Sequence, residues 1–415
     1  MKKKLLIYAH YFYPDVASTG QILTELADGL KDTFDITVIC VVPSYSGVVD
    51  EKYKSKRIYN EEYNGIKVVR VRVPEFEKGN KISRIKNLLA YFFNSLIATF
   101  KIEKQDYIFT ISQPPILGGV IGVLGKWIKG GKLIYNIQDF NPEQTMAVGY
   151  VKNKPLLNLV MAVDKFSCKV ADKVIVVGRD MQETLKNRFN NKKVPTNSFI
   201  NNWINENEIY PLKEDHTKII SFKEKYNLQD KFVIMYSGNI GLYYDLENII
   251  KVIGNFKDNT DVIFAFVGDG TVKSKIEEYV LSNKLDNVTF IPYQDKADLI
   301  YSLNAADVHW VVNAKGIKGV SVPSKLYGVM AVGKPVLGVL DKGSEARLIV
   351  EECNCGICVE PGDYEGIKNK ITNIIENKEK IKLLGEQGRI YLENNLTKDV
   401  SINKYKEEIL LTNTR

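Results

Sequence analysis

Short apolar runs alternate with helical segments along this chain, in two successive blocks. The first block has strand-like runs at Leu5–Ala9, Ile36–Val41, Ile66–Val71, Tyr107–Ile111, Leu133–Ile137, Lys173–Val177 and Asn197–Ile200. The second block has them at Phe232–Tyr236, Val262–Val267, Val288–Ile291, Val308–Val312, Pro335–Val339 and Gly356–Val359. Strands that alternate with helices are typical of parallel sheets. The pattern predicts an α/β protein with two doubly wound, Rossmann-like units.

A polar stretch separates the two blocks. Asn201–Asp230 contains Pro211 and shows no clear apolar period across Asn202–Thr217. The chain has 415 residues, which is long for one hydrophobic core. We therefore predict a domain over residues 1–200, a second over 201–395, and a helix over 396–415 that packs back on the first domain.

Composition and charge narrow the classes of function. The net charge of +7 suits an anionic ligand or an anionic membrane surface. The sequence does not have the concentrated basic patch that is typical of a nucleic-acid-binding protein. We find no signal peptide and no apolar run long enough for a transmembrane helix, so we expect a cytoplasmic protein. The five cysteines fit a reducing compartment, and the group Cys353, Cys355 and Cys358 lacks an evident fourth metal ligand.

The stretch Val308–Val339 carries the strongest candidate for a ligand site. Its two strand-like ends enclose Pro323-Ser324-Lys325, which is followed by apolar helical residues up to Gly333. Pro and Ser suit the start of a helix, and Gly suits its end. A helix start presents free N–H groups and the positive end of a dipole, and Lys325 adds a full charge. The pattern predicts a phosphate site.

Further candidate phosphate contacts follow other strands. Ser18-Thr19-Gly20 opens the helix after the first strand. Glycine-containing turns, Ser237–Gly241 and Gly268-Asp269-Gly270, follow the first two strands of the second block. Glycine allows a ligand to approach the backbone, although α/β turns also need Gly for their own geometry. Since ligands of such sheets collect at the carboxyl ends of strands, we place these segments at the predicted site.

A polar loop follows the strand-like run that ends at Ile137. It reads Gln138-Asp139-Phe140-Asn141-Pro142-Glu143. Asp and Asn commonly cap loops, which is the structural alternative. Because the loop leaves a strand end directly, we favour a substrate role for Asp139.

In the segment Ile82–Phe100 apolar residues recur with the period of a helix, and basic residues lie within and beside the segment. Its apolar positions are Ile82, Ile85, Leu89, Phe92, Phe93, Leu96, Ile97 and Phe100. The basic residues are Lys78, Lys81, Arg84, Lys86, Lys101 and Lys104. Such a helix can lie on an anionic membrane. We favour the simpler interpretation, in which the stripe faces the core of the first domain and the basic residues form a solvated edge.

The order and spacing of these motifs resemble the GT-B glycosyltransferases of family 4 over nearly the whole chain. The matching segments are Ser18-Thr19-Gly20, Tyr236–Gly241, Val267–Gly270, Pro323–Gly328, Gly333–Val336 and Gly343-Ser344-Glu345. The resemblance is to the branch that builds bacterial polysaccharides such as capsule and O-antigen, including fucosyl and N-acetylfucosaminyl transferases. It implies two Rossmann-like domains that face a central cleft, with the acceptor bound by the first domain and a nucleotide sugar by the second.

The resemblance also implies the reaction and its residues. A sugar moves from a nucleotide diphosphate sugar, expected to be UDP-linked, to a hydroxyl of a lipid-linked glycan at the inner face of the membrane, with retention of configuration. Lys325 is expected to stabilise the diphosphate leaving group, and Asp139 to lie near the reacting hydroxyl. Since no Asp-x-Asp pair occurs, a metal-independent reaction without a cofactor is expected. The implied donor contacts are Thr19, Gly20, Gly238, Asn239, Gly268, Asp269, Gly270, Pro323, Ser324, Lys325, Leu326, Gly343 and Ser344.

The chain departs from the family pattern at several charged positions. Family members often carry two Glu where this chain has Val320 and Gly328, so Glu345 is the remaining candidate to hold the donor sugar or ribose. Asn239 and Leu242-Tyr243-Tyr244 stand where the family has Arg and Lys. Lys315 and Lys318 are candidates to supply charge in place of the missing Arg and Lys.

Two other enzyme classes fit the sequence less well. A GT-B nucleotide-sugar epimerase, similar to UDP-N-acetylglucosamine 2-epimerase, needs acid/base carboxylates and His around the sugar, and this chain has three His in all. An NAD-dependent dehydrogenase needs a Gly-x-Gly-x-x-Gly turn after a strand, which does not occur. The epimerase is the alternative that we retain.

Overall fold

The computed structural model describes residues 2–15, 17–77, 79–149 and 153–412. The strands are β1 (Lys3–Tyr8), β2 (Phe34–Val41), β3 (Ile58–Tyr63), β4 (Ile66–Val71), β5 (Tyr107–Ile111), β6 (Lys132–Ile137), β7 (Lys173–Val176), β8 (Asn197–Phe199), β9 (Phe232–Ser237), β10 (Val262–Val267), β11 (Val288–Ile291), β12 (Val308–Val312), β13 (Val336–Val339) and β14 (Gly356–Val359). The helices are α1 (Ser18–Leu30), α2 (Lys81–Lys101), α3 (Leu117–Lys129), α4 (Glu143–Ala147), α5 (Lys154–Val170), α6 (Arg179–Arg188), α7 (Thr217–Lys225), α8 (Leu246–Ile253), α9 (Lys273–Asn283), α10 (Leu299–Asn304), α11 (Lys325–Ala331), α12 (Glu345–Glu352), α13 (Tyr364–Glu376), α14 (Lys378–Asn395) and α15 (Lys398–Leu411). All predicted strands are present.

The strands form two sheets. The first has the order β3-β4-β2-β1-β5-β6-β7-β8, and the second has the order β11-β10-β9-β12-β13-β14. Neighbouring strands run parallel, except that β3 pairs antiparallel with β4, with Ile58 opposite Val71. The sequence pattern did not predict β3, because none of the residues of this edge strand (IYNEEY) is buried and they carry no apolar period.

Helices cover both faces of the first sheet. On one face the core joins Tyr8 of β1, Tyr91 of α2 and Tyr135 of β6. On the other face Leu23 of α1 packs in a cluster that includes Tyr405 of α15. The last helix therefore lies on the first domain although it follows the second in sequence, and the Asn136 amide donates a 3.0 Å hydrogen bond to the Tyr405 hydroxyl. Burial of both faces explains why the central strands read as continuous apolar runs.

The apolar stripe of α2 faces outward, and the predicted core-facing orientation was wrong for most of it. Five of its side chains are exposed: Ile82, Ile85, Leu89, Phe93 and Phe100. The buried residues of this helix are instead Asn87, Tyr91, Ser95, Ala98 and Thr99. Hydrogen bonds fix this orientation, because Thr99 bonds to the buried Tyr8 hydroxyl at 2.6 Å and Asn87 donates to the Pro74 carbonyl at 2.8 Å. Of the predicted basic residues, Lys78 lies outside the described residues.

Within the described residues, no helix has both the length and the apolar character needed to cross a bilayer.

The two domains contact each other beside the carboxyl ends of their sheets. The backbone N–H of Phe140 donates to the Val320 carbonyl at 2.9 Å, and Asp139 forms an isolated antiparallel bridge with Ser321. Next to this contact, the N–H of Gly319 donates to the buried Asp180 carboxylate at 2.8 Å. These bonds hold the loop after β6 and the first turn of α6 against the loop that precedes α11.

Candidate active site

A cleft of about 460 Å³ lies between the two domains. Residues that follow strands of both sheets line it, including Thr19, Gln113, Asp139, Asn239 and Asn313. A second cavity of about 270 Å³ extends into the C-terminal domain and shares lining residues with the cleft, Lys325 among them. The cleft thus occupies the place where parallel α/β sheets bind their ligands.

Lys325 begins α11 and reaches the loop after β9. At Gly238, whose φ is +139°, an added Cβ would lie 2.5 Å from Lys325 Cε. The loop therefore needs glycine so that the lysine can pass close to the backbone. The predicted helix cap differs in detail, because the exposed Ser324 makes no side-chain capping bond and α11 has only seven residues. The positive charge here comes mainly from the side chain.

The Lys325 ammonium is surrounded by aromatic rings. Its Nζ lies 3.7 Å from the centroid of the Tyr244 ring and 5.0 Å from that of Tyr236. Within the described part of the chain, no carboxylate forms an ion pair with it. Burial lowers the pKa of Lys325 to about 7. A cation held by ring faces and no carboxylate is available to an incoming anion.

The glycines after β9 and β10 lie against each other. An added Cβ at Gly268 would lie 2.1 Å from the Gly238 carbonyl oxygen, and one at Gly270 would lie 2.2 Å from the Ile240 oxygen. Gly238 and Gly268 line the second cavity, as a donor site requires. Asp269 and Gly270 do not line either cavity, and the Asp269 carboxylate accepts from the Gly270 N–H at 2.8 Å.

Asp139 lies on the opposite wall of the cleft from the second domain. Its two carboxylate oxygens accept hydrogen bonds from side-chain amides, from Gln113 at 3.4 Å and from Gln144 at 3.1 Å. Burial raises the pKa of Asp139 to about 6, and the two amides act in the opposite direction. The charge of Asp139 in turn contributes to the raised pKa of Tyr244, so the carboxylate and the Tyr244 ring are neighbours. A carboxyl group with this pKa can change its charge near neutral pH.

Glu345 is placed between the domains and does not line either cavity. It is 1% exposed, and it accepts from the Arg179 backbone N–H at 2.7 Å, from Arg179 Nε at 2.9 Å and from the Asn201 amide at 2.8 Å. Arg179 also pairs with Glu352 of the same helix as Glu345. In this conformation the carboxylate joins α12 to α6 and to the linker after β8.

The other predicted donor residues divide into two groups. Thr19, Asn239, Pro323 and Ser324 line the cleft. Gly20, Leu326, Gly343 and Ser344 do not: Gly20 packs on Tyr11, Leu326 is fully buried in the core, and Gly343 adjoins the Lys318 ammonium.

Several lining residues were missed in the sequence analysis. They are Gln113, Gln144, Tyr243, Tyr244, Tyr293, Gln294, Lys296 and Asn313. Gln113 and Asn313 each stand within two residues of a strand end, which is a usable signal. Gln144 had no such signal, because it reaches the cleft from a short helix that follows a turn.

The family model described as glycosyl transferases group 1 matches residues 217–391. Among curated relatives, WbjE of Pseudomonas aeruginosa, assigned as a glycosyltransferase, is 28% identical over 336 residues, which cover 80% of this chain and 82% of WbjE. WcaI of Escherichia coli K12, assigned as a glycosyl transferase of colanic acid biosynthesis, is 25% identical over 375 residues, with 88% and 90% covered. CapM of Staphylococcus aureus, a capsular polysaccharide biosynthesis glycosyltransferase, is 23% identical over 330 residues, with 77% and 78% covered.

Solved structures confirm the predicted fold. Sucrose-phosphate synthase from Thermosynechococcus elongatus superimposes with a TM-score of 0.78 at 15% identity, covering 100% of both chains. Anabaena HepE, solved in complex with UDP-glucose, gives a TM-score of 0.68 at 15% identity, covering 99% of both chains. The architecture is that of the GT-B enzymes, with two Rossmann-like domains.

Proposed function

We propose that this chain of GT-B fold is a glycosyltransferase, and that its cleft performs the following reaction. A sugar moves from a UDP-linked donor to a hydroxyl of a lipid-linked glycan, with retention of configuration, in the synthesis of a bacterial surface polysaccharide. The observation that carries this proposal is the shared cleft of Lys325 and Asp139: a cation without a carboxylate partner on the donor side, and a carboxylate without a cation on the acceptor side.

Lys325 acts on the leaving group in this proposal. As the bond between the anomeric carbon and the diphosphate oxygen breaks, negative charge accumulates on the diphosphate, and a nearby ammonium stabilises it. The lysine is already placed beside Gly238, and both residues line the second cavity, where the diphosphate would lie. Binding of the diphosphate also favours the protonated form of Lys325, so the donor itself supplies the anionic partner of this lysine.

Asp139 acts on the acceptor. When the acceptor oxygen bonds to the anomeric carbon, its hydroxyl proton must leave, and an ionised carboxylate can accept it or orient the hydroxyl. Its pKa of about 6 leaves the carboxylate mostly ionised at neutral pH and still basic enough for this task. The carboxylate comes from the domain to which the resemblance assigns the acceptor.

Two observations support a proposal for the identity of the donor sugar. HepE, which shares the fold, was solved with UDP-glucose, and this supports a UDP-linked sugar. The described residues that line the second cavity include Ser237, Tyr293 and Gln294, but no carboxylate. Such a wall suits a sugar with an acetamido group or a missing hydroxyl. We therefore propose a donor of the fucosyl or N-acetylfucosaminyl class.

The reaction is proposed to need no metal and no other cofactor. The support is the absence of an Asp-x-Asp pair from the sequence, together with Lys325 as a source of positive charge at the diphosphate position. An epimerase is not favoured, since the relatives are assigned as glycosyltransferases and no His is among the described residues that line the main cleft.

The acceptor is proposed to be reached at an anionic membrane surface, and the outward face of α2 supports this. The exposed residues of α2 continue onto α3 and α5, where Trp127, Leu159 and Phe166 are also exposed; we call this surface the outer apolar face, formed by Ile82, Ile85, Leu89, Phe93, Phe100, Trp127, Leu159 and Phe166. Trp127 and Phe166 are in ring contact at 6.2 Å, so α3 and α5 share this surface. Lysines beside it supply the charge that anionic lipids attract.

A link between α2 and the cleft side of the domain fits this placement. Arg84 donates to the Tyr11 hydroxyl at 3.0 Å and its guanidinium lies 4.4 Å from the centre of the Phe76 ring. Tyr11 belongs to the loop between β1 and α1, which leads to the cleft residue Thr19. A bilayer against α2 would thus lie near the entrance used by a lipid-linked acceptor.

The proposed reaction is tested with purified protein and a panel of UDP-, GDP- and dTDP-sugars. We expect UDP-linked sugars to raise the melting temperature more than the other two classes. The best donor is then incubated with a synthetic lipid-linked saccharide, and NMR of the product gives its anomeric configuration. Preference for GDP- or dTDP-sugars, an inverted product, or donor isomerisation without acceptor would each overturn the corresponding part.

A further inference from the structure

The carboxylate of Asp139 is held from two independent elements. Gln113, which follows β5, donates to one oxygen, and Gln144 of α4 donates to the other. The backbone on either side of the carboxylate is also fixed, because the N–H of Gln138 donates to Ser112 Oγ at 3.0 Å and Phe140 bonds to Val320. The two amides therefore meet a carboxylate whose main chain is already in place.

No charged side chain of the described residues holds the Asp139 carboxylate in place of the two amides. Among the described residues, no Lys, Arg or His forms an ion pair with Asp139. Tyr244, on the other side of the cleft, is close enough for the charge of Asp139 to raise its pKa, and the Lys325 ammonium contacts that same ring. Glu143, the neighbour of Gln144 on α4, pairs with Arg188 and so does not act on Asp139 as a free charge.

We propose that Gln113 and Gln144 are positioning residues for Asp139, and that their amide N–H groups fix the direction of its carboxylate and stabilise its ionised form. An amide can do this without neutralising the carboxylate, which a lysine or arginine would do. The carboxylate stays charged, oriented and available to the acceptor. This inference rests on the proposed function for its catalytic consequence, but the effect of the glutamines on the charge of Asp139 does not need turnover.

The test measures the ionisation of Asp139 directly. Infrared difference spectra across a pH titration, with Asp139→Asn as the reference, isolate the signal of this carboxyl group. Loss of a hydrogen bond to the ionised form raises a pKa, so Gln113→Met and Gln144→Met should each move the midpoint upward by about half a unit or more. The double variant should move it further.

A matched control separates this effect from a general change of packing. Gln182 of α6 donates to Asn197 at 2.8 Å and does not line the cleft, so Gln182→Met should leave the Asp139 midpoint where it is in the wild type. Circular dichroism and melting curves establish that each variant folds. Midpoints of the folded Gln113 and Gln144 variants that coincide with the wild-type value would overturn the inference.

The kinetic arm tests the catalytic consequence. With the proposed donor and acceptor, the transfer rate is measured against pH. In Gln144→Met the midpoint of the acid limb should move to higher pH, as the infrared midpoint does, while the donor KM stays unchanged. In the Asp139→Asn background, Gln144→Met should have no further effect on the pH profile. If the infrared midpoints move but no variant, nor the wild type, transfers sugar, the positioning inference stands and the proposed function fails.

Discussion

The Lys325 ammonium lies 3.7 Å from the centre of the Tyr244 ring, and Tyr244 also senses the charge of Asp139. One ring thus adjoins both the cation and the carboxylate of the cleft. Within the described residues, Lys325 and Asp139 form no ion pair with each other or with any other side chain. Two opposite charges that stay unpaired at one cleft remain free to act on different substrates.

Replacement of Lys325 tests its role at the diphosphate. We expect Lys325→Ala to lower the transfer rate about a hundredfold or more, because the charge that develops on the leaving group loses its cation. The melting temperature should change little, since no hydrogen bond or ion pair of the described structure is lost. Lys315→Ala is the control, because Lys315 is an exposed lysine of the same domain outside both cavities. Near wild-type turnover in Lys325→Ala would exclude the role.

Replacement of Asp139 separates binding from chemistry. Asp139→Asn should retain nucleotide binding and lose transfer by a factor on the order of a hundred or more. In the wild type, the pKa of about 6 predicts a rate that falls as the pH drops below 6, because the protonated form cannot accept the proton. This acid limb should be absent from the residual activity of the variant. A parallel loss of donor affinity and rate would instead support the structural role of a loop residue.

The replacement of Glu345 tests whether it joins the domains or binds the donor. Glu345→Ala leaves the Arg179 N–H and the Asn201 amide without their partner in a buried position, so it should destabilise the fold by about 3 kcal/mol. Urea unfolding measures this. The control is Glu351→Ala on the same helix, whose exposed pair with Arg347 contributes about 1 kcal/mol or less. A lost affinity for UDP at unchanged stability would restore the donor role that the sequence predicts.

Much of the fold was predictable because its signals are local. A run such as Val308–Val312 is apolar throughout, since helices cover both faces of its strand, and its bounds were predicted correctly. The edge strand β3 was not predicted because none of its residues is buried, so its sequence lacks an apolar pattern. The buried face of α2 was not predicted for a related reason. The apolar stripe is present, but its sequence pattern does not show whether the stripe contacts the rest of the protein or faces outward. Only the inward hydrogen bonds of Asn87 and Thr99 show which face is buried.

The site was predictable only in part, for a different physical reason. Lys325 and Asp139 follow from local motifs beside strand ends. The contacts of Glu345 and Gln144 depend on segments far apart in sequence: Glu345 meets Arg179 across the domain boundary, and Gln144 bends back on Asp139 through the turn at Pro142. No local pattern records such a contact.

Chelation tests the expected metal independence. Activity should survive excess EDTA, because Lys325 supplies positive charge at the proposed diphosphate position. Transfer assays with EDTA, and then with added Mg²⁺ or Mn²⁺, measure this. A loss in chelator that either ion restores would show that a metal shares the work of Lys325.

The outer apolar face leads to the last prediction, that the protein docks on anionic membranes through α2. This face puts several large apolar side chains in water, among them Phe93 at 58% and Phe100 at 67% exposure, which has a cost unless something covers them. Exposed lysines of the same helix, Lys81, Lys86 and Lys101, each add roughly 1 kcal/mol of attraction to an anionic surface. A second copy of the chain could cover the apolar side chains, but the lysines of two copies would then repel each other.

Cosedimentation with vesicles distinguishes these occupants. The protein should bind anionic vesicles, bind neutral ones less, and dissociate as salt screens the lysines. The triple variant Lys81→Glu, Lys86→Glu and Lys101→Glu should lose binding, because each change reverses a charge at the surface. Arg84 is left intact because it bonds to Tyr11. Reversal of Lys225, Lys378 and Lys380, which are exposed on the C-terminal domain, changes net charge equally and should leave binding in place. Equal and negligible binding to both vesicle types, together with a concentration-dependent dimer in sedimentation velocity, would assign the face to a second copy instead.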